Sequence, residues 1–140
     1  MSIEENKSIV RRFFEVGPSK GALQAANELL VPGFVLHVPL PCSPGVQGID
    51  EVIFACRAAF EDLHVTVEDM VAEEDMVAAR FTARGIHTGA FMGLAPTGKP
   101  ITMTGMEIFR LENGKIAELW GEANLLGLMQ QLGILPPMGQ

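Results

Sequence analysis

The spacing of hydrophobic residues changes near the middle of the chain. Before Asp62, apolar residues recur with the spacing of amphipathic helices, with charged residues between them. This spacing predicts three helices, over residues 6–16, 22–30 and 49–60. The Gly-Pro pair at 17–18 and the Pro-Gly pair at 32–33 are expected to end the first two helices. A strand is predicted over 34–39, followed by a loop over 41–48 that is rich in turn-forming residues.

After Asp62 the apolar and polar residues alternate, which favours strands with one buried face. The predicted strands lie around Val65 and Val67 and over 77–85, 101–111 and 115–123. The Asn-Gly pair at 113–114 indicates a tight hairpin between the last two. A last helix is predicted over 125–132, and the tail at 134–140 is expected to be mobile. Helices followed by a strand meander predict a single α+β domain over 1–140, with helices on one face of a curved sheet.

Composition restricts the classes of function. Hydrophobic residues make up 48% of the 140 residues and the mean hydropathy is +0.26, so we expect a pocket or a dimer face besides the core. No apolar run reaches the ~20 residues of a membrane span, and no basic stripe suggests a membrane surface. The net charge of −7 argues against nucleic acid as a partner. The first residues show no secretory signal, which predicts a cytoplasmic protein with two free thiols.

Glu107 is an acid in an apolar setting. The face of the predicted strand 101–111 that carries it otherwise presents apolar residues and glycine: Ile101, Met103, Gly105, Phe109 and Leu111. An unpaired carboxylate is costly to bury, so such a group finds a partner or becomes protonated. A carboxyl with a raised pKa serves as an acid, a base or a hydrogen-bond donor. The alternatives are an exposed acid on an edge strand, or one paired with Arg84 or Arg110.

Other aromatic and polar residues are candidates for the same pocket. His37 lies in an apolar strand and is expected to be at least partly buried, and His87, at a strand end, is expected at a pocket rim. Trp120 and Phe13 offer pocket walls, although core packing is the commoner role of such residues. His64 is expected to be solvated, and histidines this dispersed predict no metal site. The chain has no HExxH, Gly-x-Ser-x-Gly or Gly-rich phosphate-loop motif.

Four segments resemble the SnoaL-like polyketide cyclases of the NTF2-like superfamily. They are 87–99 (HTGAFMGLAPTGK), 105–110 (GMEIFR), 112–120 (ENGKIAELW) and 125–133 (LLGLMQQLG). The resemblance extends from the first helix to the end of the last. It implies a cone-shaped, mostly antiparallel sheet wrapped by about three N-terminal helices, an interior pocket for a small apolar organic ligand, and a homodimer.

The resemblance also implies roles for individual residues. In the polyketide cyclases an acid a few residues after the strand tryptophan is the general base, and the matching position is Asn124, whose amide cannot take a proton. The more distant ketosteroid isomerases hold an oxyanion with a carboxylic acid in a motif matched by 106–110, which places Glu107 inside the cavity. Their catalytic tyrosine and base aspartate correspond to Phe13 and Val38, so isomerase activity is not expected.

The leading hypothesis is an enzyme that transfers a proton on a small apolar carbonyl compound and needs no cofactor. Glu107 and His37 are its candidate catalytic residues. The candidate substrate-binding residues are Phe13, Met103, His87, Trp120 and Asn124. The alternative, motivated by Asn124, is a non-catalytic ligand-binding or dimerisation module of the same fold. An interaction protein that uses the open sheet face ranks last, because that face offers Arg80, Thr82 and Arg84 instead of a broad apolar patch.

Overall fold

The first helix begins at a capping box. A computed structural model of the chain describes residues 2–19 and 28–136, and helix α1 spans Ile3–Phe14. The side chains of Ser2 and of the third helical residue each accept a hydrogen bond from the other's backbone N–H, at 3.0 and 3.2 Å. A π-helical turn, Glu15–Ser19, follows α1. The Gly-Pro pair predicted to stop the helix therefore lies inside that turn.

Strand β1 and helix α2 follow. Strand β1 spans Leu30–His37, and α2 spans Gly45–Ala59, starting four residues before the prediction. Most of the helix predicted over 22–30 lies outside the described residues, but its last residue begins β1, so that boundary is wrong. The Pro-Gly pair at 32–33 lies within β1 and does not end a helix. Since β1 is an edge strand of the sheet, a proline that cannot donate to a neighbour is tolerated there.

Four further strands form a meander. They are β2 (Phe60–Glu73), β3 (Met76–His87), β4 (Pro100–Glu112) and β5 (Lys115–Ala123), and helix α3 (Leu125–Gln131) follows them. The sheet order is β1-β5-β4-β3-β2, with β1 parallel to β5 and the other neighbours antiparallel. Asn113 and Gly114 have φ angles of 50° and 81°, as the predicted hairpin requires. The predicted α+β class is confirmed. Within the described ranges, no helix is long and apolar enough to cross a membrane.

The sheet has one face covered by helices and one open face. On β4 the odd-numbered positions from 101 to 111 are buried or half-buried, whereas positions 102, 104, 106 and 108 are exposed. The covered face packs against α1, where the rings of Phe13, Phe14 and Phe109 lie 5.7–6.0 Å apart. The predicted division of this strand into two faces is therefore confirmed.

A β-bulge in β5 changes which of its residues face the helices. The pairing of β5 with β4 shifts at Ala117, which has no counterpart on β4. As a result Ile116 and Leu119 both lie in the core, while Glu118 and Trp120 lie on the open face. Strict alternation along β5 would not place two residues of odd and even number on the same side.

Helix α3 closes the end of the sheet where β5 stops. The Gln131 amide binds the backbone of Thr102, donating to its carbonyl at 2.7 Å and accepting from its N–H at 2.8 Å. This contact continues the pairing of β4 beyond the last residue of β5. Leu128 then packs with Phe60 in a second apolar cluster, which holds α3 against the sheet.

Candidate functional site

A cavity lies between the covered face of the sheet and helices α1 and α2. Its volume is about 140 Å³, close to the ~150 Å³ of an apolar cavity that binds benzene. The walls are mostly aromatic and aliphatic side chains, among them Phe14, Ile53, Phe81, Phe91 and Leu125. They come from every layer of the structure, including the loop after β3 and helix α3. The cavity therefore suits an apolar group of about the size of one ring.

Three of the seven candidate site residues meet in this cavity. Phe13 of α1 and Met103 and Glu107 of β4 line it together. Phe13 is only 1% exposed and also contacts the core, so it is both wall and core. The two β4 residues lie there because both occupy the covered face of the strand.

The Glu107 carboxyl has no partner in residues 2–19 and 28–136: no donor or cation binds it. Burial raises its pKa from 4.5 to about 8, because hydrocarbon walls solvate the charged form poorly. The alternative of pairing with an arginine does not apply. Arg110 donates to Glu118 on the open face at 3.3 Å, and Arg84 is exposed.

This carboxyl can exchange a proton with a ligand. A group whose pKa lies near neutral pH is populated in both of its forms, so it can give a proton in one and take a proton in the other. The surrounding hydrocarbon strengthens any hydrogen bond that the carboxyl makes to a ligand atom. The cavity thus combines an apolar binding space with one carboxyl whose pKa is raised to about 8.

Cys56 of α2 also lines the cavity. Burial raises the pKa of its thiol to about 11, and the nearby charge of Glu107 acts in the same direction. The thiol is therefore neutral at pH 7. Its place could have been found from the spacing of Ile49, Ile53 and Cys56, since residues four and seven positions apart share one face of a helix and all three line the cavity.

His37 and Trp120 lie on the open face, and their predicted place at the pocket is corrected. Their rings stack at 5.2 Å, and the His37 Nε2 atom lies 2.7 Å from the Glu118 carboxylate. Trp120 pairs with Ile108, one residue away from the inward-facing Glu107, so it must face the other way. His37 pairs with Trp120 across β1 and β5 and shares that face. The His37 side chain is 45% exposed, so it is partly buried as predicted, but against Trp120 on the open face and not in the cavity.

Asn124 lies outside the cavity wall and caps helix α3. Its Oδ1 atom accepts a hydrogen bond from the Gly127 N–H at 2.9 Å, and the side chain is exposed. The structure thus gives Asn124 a capping role next to the cavity-lining residues Ala123 and Leu125. Its predicted role in substrate binding stays a prediction.

His87 is fully buried beside the cavity and holds the loop after β3. Its Nδ1 atom accepts from the Thr97 N–H at 3.2 Å, and its ring packs on Phe60, which lines the cavity, at 5.5 Å. His87 itself does not line the cavity. It lies one residue behind the wall, in contact with Phe60, and not at the predicted rim. The solvated position predicted for His64 is observed. Among the described residues, no group of three or more His, Cys, Asp or Glu could hold a metal ion.

The comparisons with known proteins point to one family. The model of the SnoaL-like polyketide cyclase family matches residues 8–132. Among solved structures, AclR from Streptomyces galilaeus, a candidate hydroxylase, is 28% identical with a TM-score of 0.88, and the match covers 99% of this chain and 87% of that one. TsrD from Streptomyces laurentii is 29% identical with a TM-score of 0.86, covering 96% and 99%. IdmH from Streptomyces antibioticus, a candidate polyketide cyclase, is 33% identical with a TM-score of 0.80, covering 91% and 98%. No curated protein matches the chain.

Proposed function

Because the chain belongs to the SnoaL-like polyketide cyclase family, we propose that it is an enzyme that transfers a proton on a polyketide-like carbonyl compound. The observation that carries this proposal is the unpaired Glu107 carboxyl inside an apolar cavity. An unpartnered buried carboxyl destabilises a fold at neutral pH, and groups of this kind cluster at functional sites.

In the proposed step Glu107 acts as general base and then as general acid. Its carboxylate takes a proton from the carbon next to the ligand carbonyl, which leaves an enolate and the neutral carboxylic acid. The neutral carboxylic acid then gives a proton back to the same carbon, which restores the C–H bond, the carbonyl compound and the Glu107 carboxylate. Because burial raises the pKa of Glu107 to about 8, its carboxylate is a stronger base than an ordinary glutamate.

Position 124 has no part in this step. The acid that the resemblance implied there is an amide, and that amide caps α3. The proposed reaction therefore depends on a base at a different place, on β4 instead of at the end of β5. The closure chemistry of the cyclases is proposed here only as far as its first step, the removal of a proton next to a carbonyl.

Deuterium exchange tests this step without knowledge of the natural substrate. With acetophenone or 1-indanone in D₂O, we expect the protein to accelerate exchange of the hydrogens next to the carbonyl, followed by NMR. Glu107→Gln is expected to lower the rate about 10²- to 10⁴-fold, the usual contribution of a general base. Glu73→Gln, at the exposed end of β2, is the matched control and should keep the rate. Full exchange by Glu107→Gln would exclude Glu107 as the base.

A non-catalytic ligand-binding module is the second candidate, favoured by the amide at position 124. In that case the wild-type protein binds acetophenone, but neither the wild type nor Glu107→Gln accelerates deuterium exchange. Binding without exchange over the range from pH 6 to pH 9 would therefore decide for this candidate.

We also propose that two copies associate through the open sheet face. Met106 and Ile108 on β4 are 62% and 43% exposed and lie beside Trp120. Apolar side chains grouped on one face are typical of association surfaces. Ile108→Lys is expected to convert a dimer to a monomer in analytical ultracentrifugation, and a wild-type monomer would refute the proposal.

A further inference from the structure

The ring of Phe81 fills the place of the side chain that Gly105 lacks. The two residues lie opposite each other on β3 and β4. A Cβ atom built on Gly105 would overlap the Cζ atom of Phe81 and lie 2.7 Å from its Cε1 atom. The ring therefore crosses from β3 onto β4. Because Phe81 lines the cavity, its ring covers the cavity floor between the β4 residues Met103 and Glu107.

The neighbours of Phe81 on this face of β3 are small. Ala79 lies opposite Glu107 and is 3% exposed. Ala83 lies opposite Met103 and is 4% exposed. One aromatic ring thus lies on this floor with the Glu107 carboxyl beside it. Neighbouring residues on one face of a strand are ~7 Å apart, so a small ligand can contact the ring and the carboxyl together.

Phe81 is also the phenylalanine of the wall whose ring a ligand can reach. Among the described residues that line the cavity, the other phenylalanines are at most 6% exposed: Phe13, Phe14, Phe60 and Phe91. Phe81 is half-buried, and β3 lies inside the sheet between β4 and β2, so the exposed part of the ring faces the cavity. Its contact with the Phe14 ring, at 5.7 Å, holds the ring in place.

We propose that Phe81 determines ligand specificity: a planar aromatic ring of the ligand packs against it, which brings the carbon next to the ligand carbonyl to Glu107. This inference rests on the proposed function, since it places the ligand in the same cavity. It adds which part of the ligand is recognised and which residue positions it. Aromatic rings attract each other both in offset stacks and edge to face, an advantage that a saturated ring of similar size lacks.

A purely space-filling role for Phe81 makes a different prediction. Acetophenone and cyclohexyl methyl ketone carry the same acetyl group on six-membered rings, and only the first ring is aromatic. If Phe81 only fills space, Phe81→Leu would change the selectivity between the two ketones no more than the same substitution elsewhere in the wall. If its ring packs against the ligand, Phe81→Leu would remove a preference for acetophenone that the other substitution leaves in place.

The experiment measures the binding of both ketones by calorimetry or NMR titration at pH 6.5. In Phe81→Leu, we expect the affinity for acetophenone to fall about 2- to 10-fold more than that for cyclohexyl methyl ketone, the range that one aromatic pair contributes. The matched control is Phe91→Leu, which makes the same change of volume in the wall at a ring that is 6% exposed. It should leave the ratio of the two affinities unchanged.

Two results of the titrations would overturn the inference. They are an unchanged affinity ratio in Phe81→Leu and an equal fall of the ratio in Phe91→Leu. A second measurement uses the wild-type protein, so it remains valid if Phe81→Leu does not fold. We expect nuclear Overhauser effects between the ring protons of bound acetophenone and those of Phe81, and bound acetophenone without them would refute the inference.

The deuterium exchange assay separates this inference from the proposed function. Loss of aromatic selectivity in Phe81→Leu, without exchange by the wild type, would refute the proposed reaction and retain this inference. Exchange by the wild type with an unchanged affinity ratio in Phe81→Leu would do the reverse.

Discussion

The buried Glu107 carboxyl makes the stability of this protein depend on pH in a predictable direction. Burial raises its pKa from 4.5 to about 8 in the folded state, while the unfolded chain keeps the ordinary value. Below pH 4.5 both states are protonated and the carboxyl carries no ionisation penalty. As the pH rises, the unfolded state loses its proton first, so the folded state becomes relatively less stable until the pH passes about 8.

The size of the effect follows from the two pKa values. At 1.36 kcal/mol for each pH unit, the interval between them corresponds to a loss of roughly 5 kcal/mol above pH 8. Between pH 5 and pH 7 the loss is roughly 2–3 kcal/mol. Glu107→Gln keeps the shape of the side chain but cannot ionise. From pH 5 to pH 7, the free energy of unfolding of the variant is therefore expected to rise relative to that of the wild type by roughly 2–3 kcal/mol.

Urea unfolding followed by circular dichroism at pH 5, 6 and 7 measures this difference in the free energy of unfolding. Glu73→Gln is the control, because it removes the same charge from an exposed position and records any general effect of the net charge. A difference between Glu107→Gln and the wild type that stays constant from pH 5 to pH 7, or that falls, would refute the reasoning. It would mean that the carboxyl has a partner or water that stabilises its charge.

Three further predictions concern residues around the site. Cys42 is exposed, whereas Cys56 is half-buried and burial raises the pKa of its thiol to about 11, so iodoacetamide at pH 8 should modify Cys42 first. Equal labelling of the two cysteines in a peptide map would contradict this prediction. Asn124→Ala removes the cap of α3 and should lower the free energy of unfolding by about 1 kcal/mol in urea titrations, whereas Asn124→Asp should keep it. Gly89→Ala would place a Cβ 2.1 Å from a carbonyl oxygen of α2 and should lower the free energy of unfolding by about 1–3 kcal/mol in urea titrations. Gly33→Ala, whose Cβ meets nothing within 4 Å, should leave it unchanged.

The stability prediction and the proposed reaction depend on the same property of Glu107. A base that is strengthened by its apolar surroundings is also a group that destabilises the fold when it ionises. If Glu107→Gln is both more stable and slower in proton exchange, the two observations together indicate a carboxyl retained for function. A variant that is slower without being more stable would instead indicate that the carboxyl is partnered in the free protein.

What the sequence determined by itself was local. The inward position of Glu107 follows from an alternation within one strand, and the hairpin after β4 follows from the Asn-Gly pair, because both depend on residues close together in the chain. The positions of Trp120 and His37 do not follow from local sequence. They depend on a bulge in β5 and on the parallel pairing of β5 with the distant strand β1. Only the tertiary structure decided that these two rings lie on the open face, that Glu107 has no partner in the described chain, and that Gly121 lies directly opposite it on β5. Each of these facts concerns elements brought together from separate parts of the sequence.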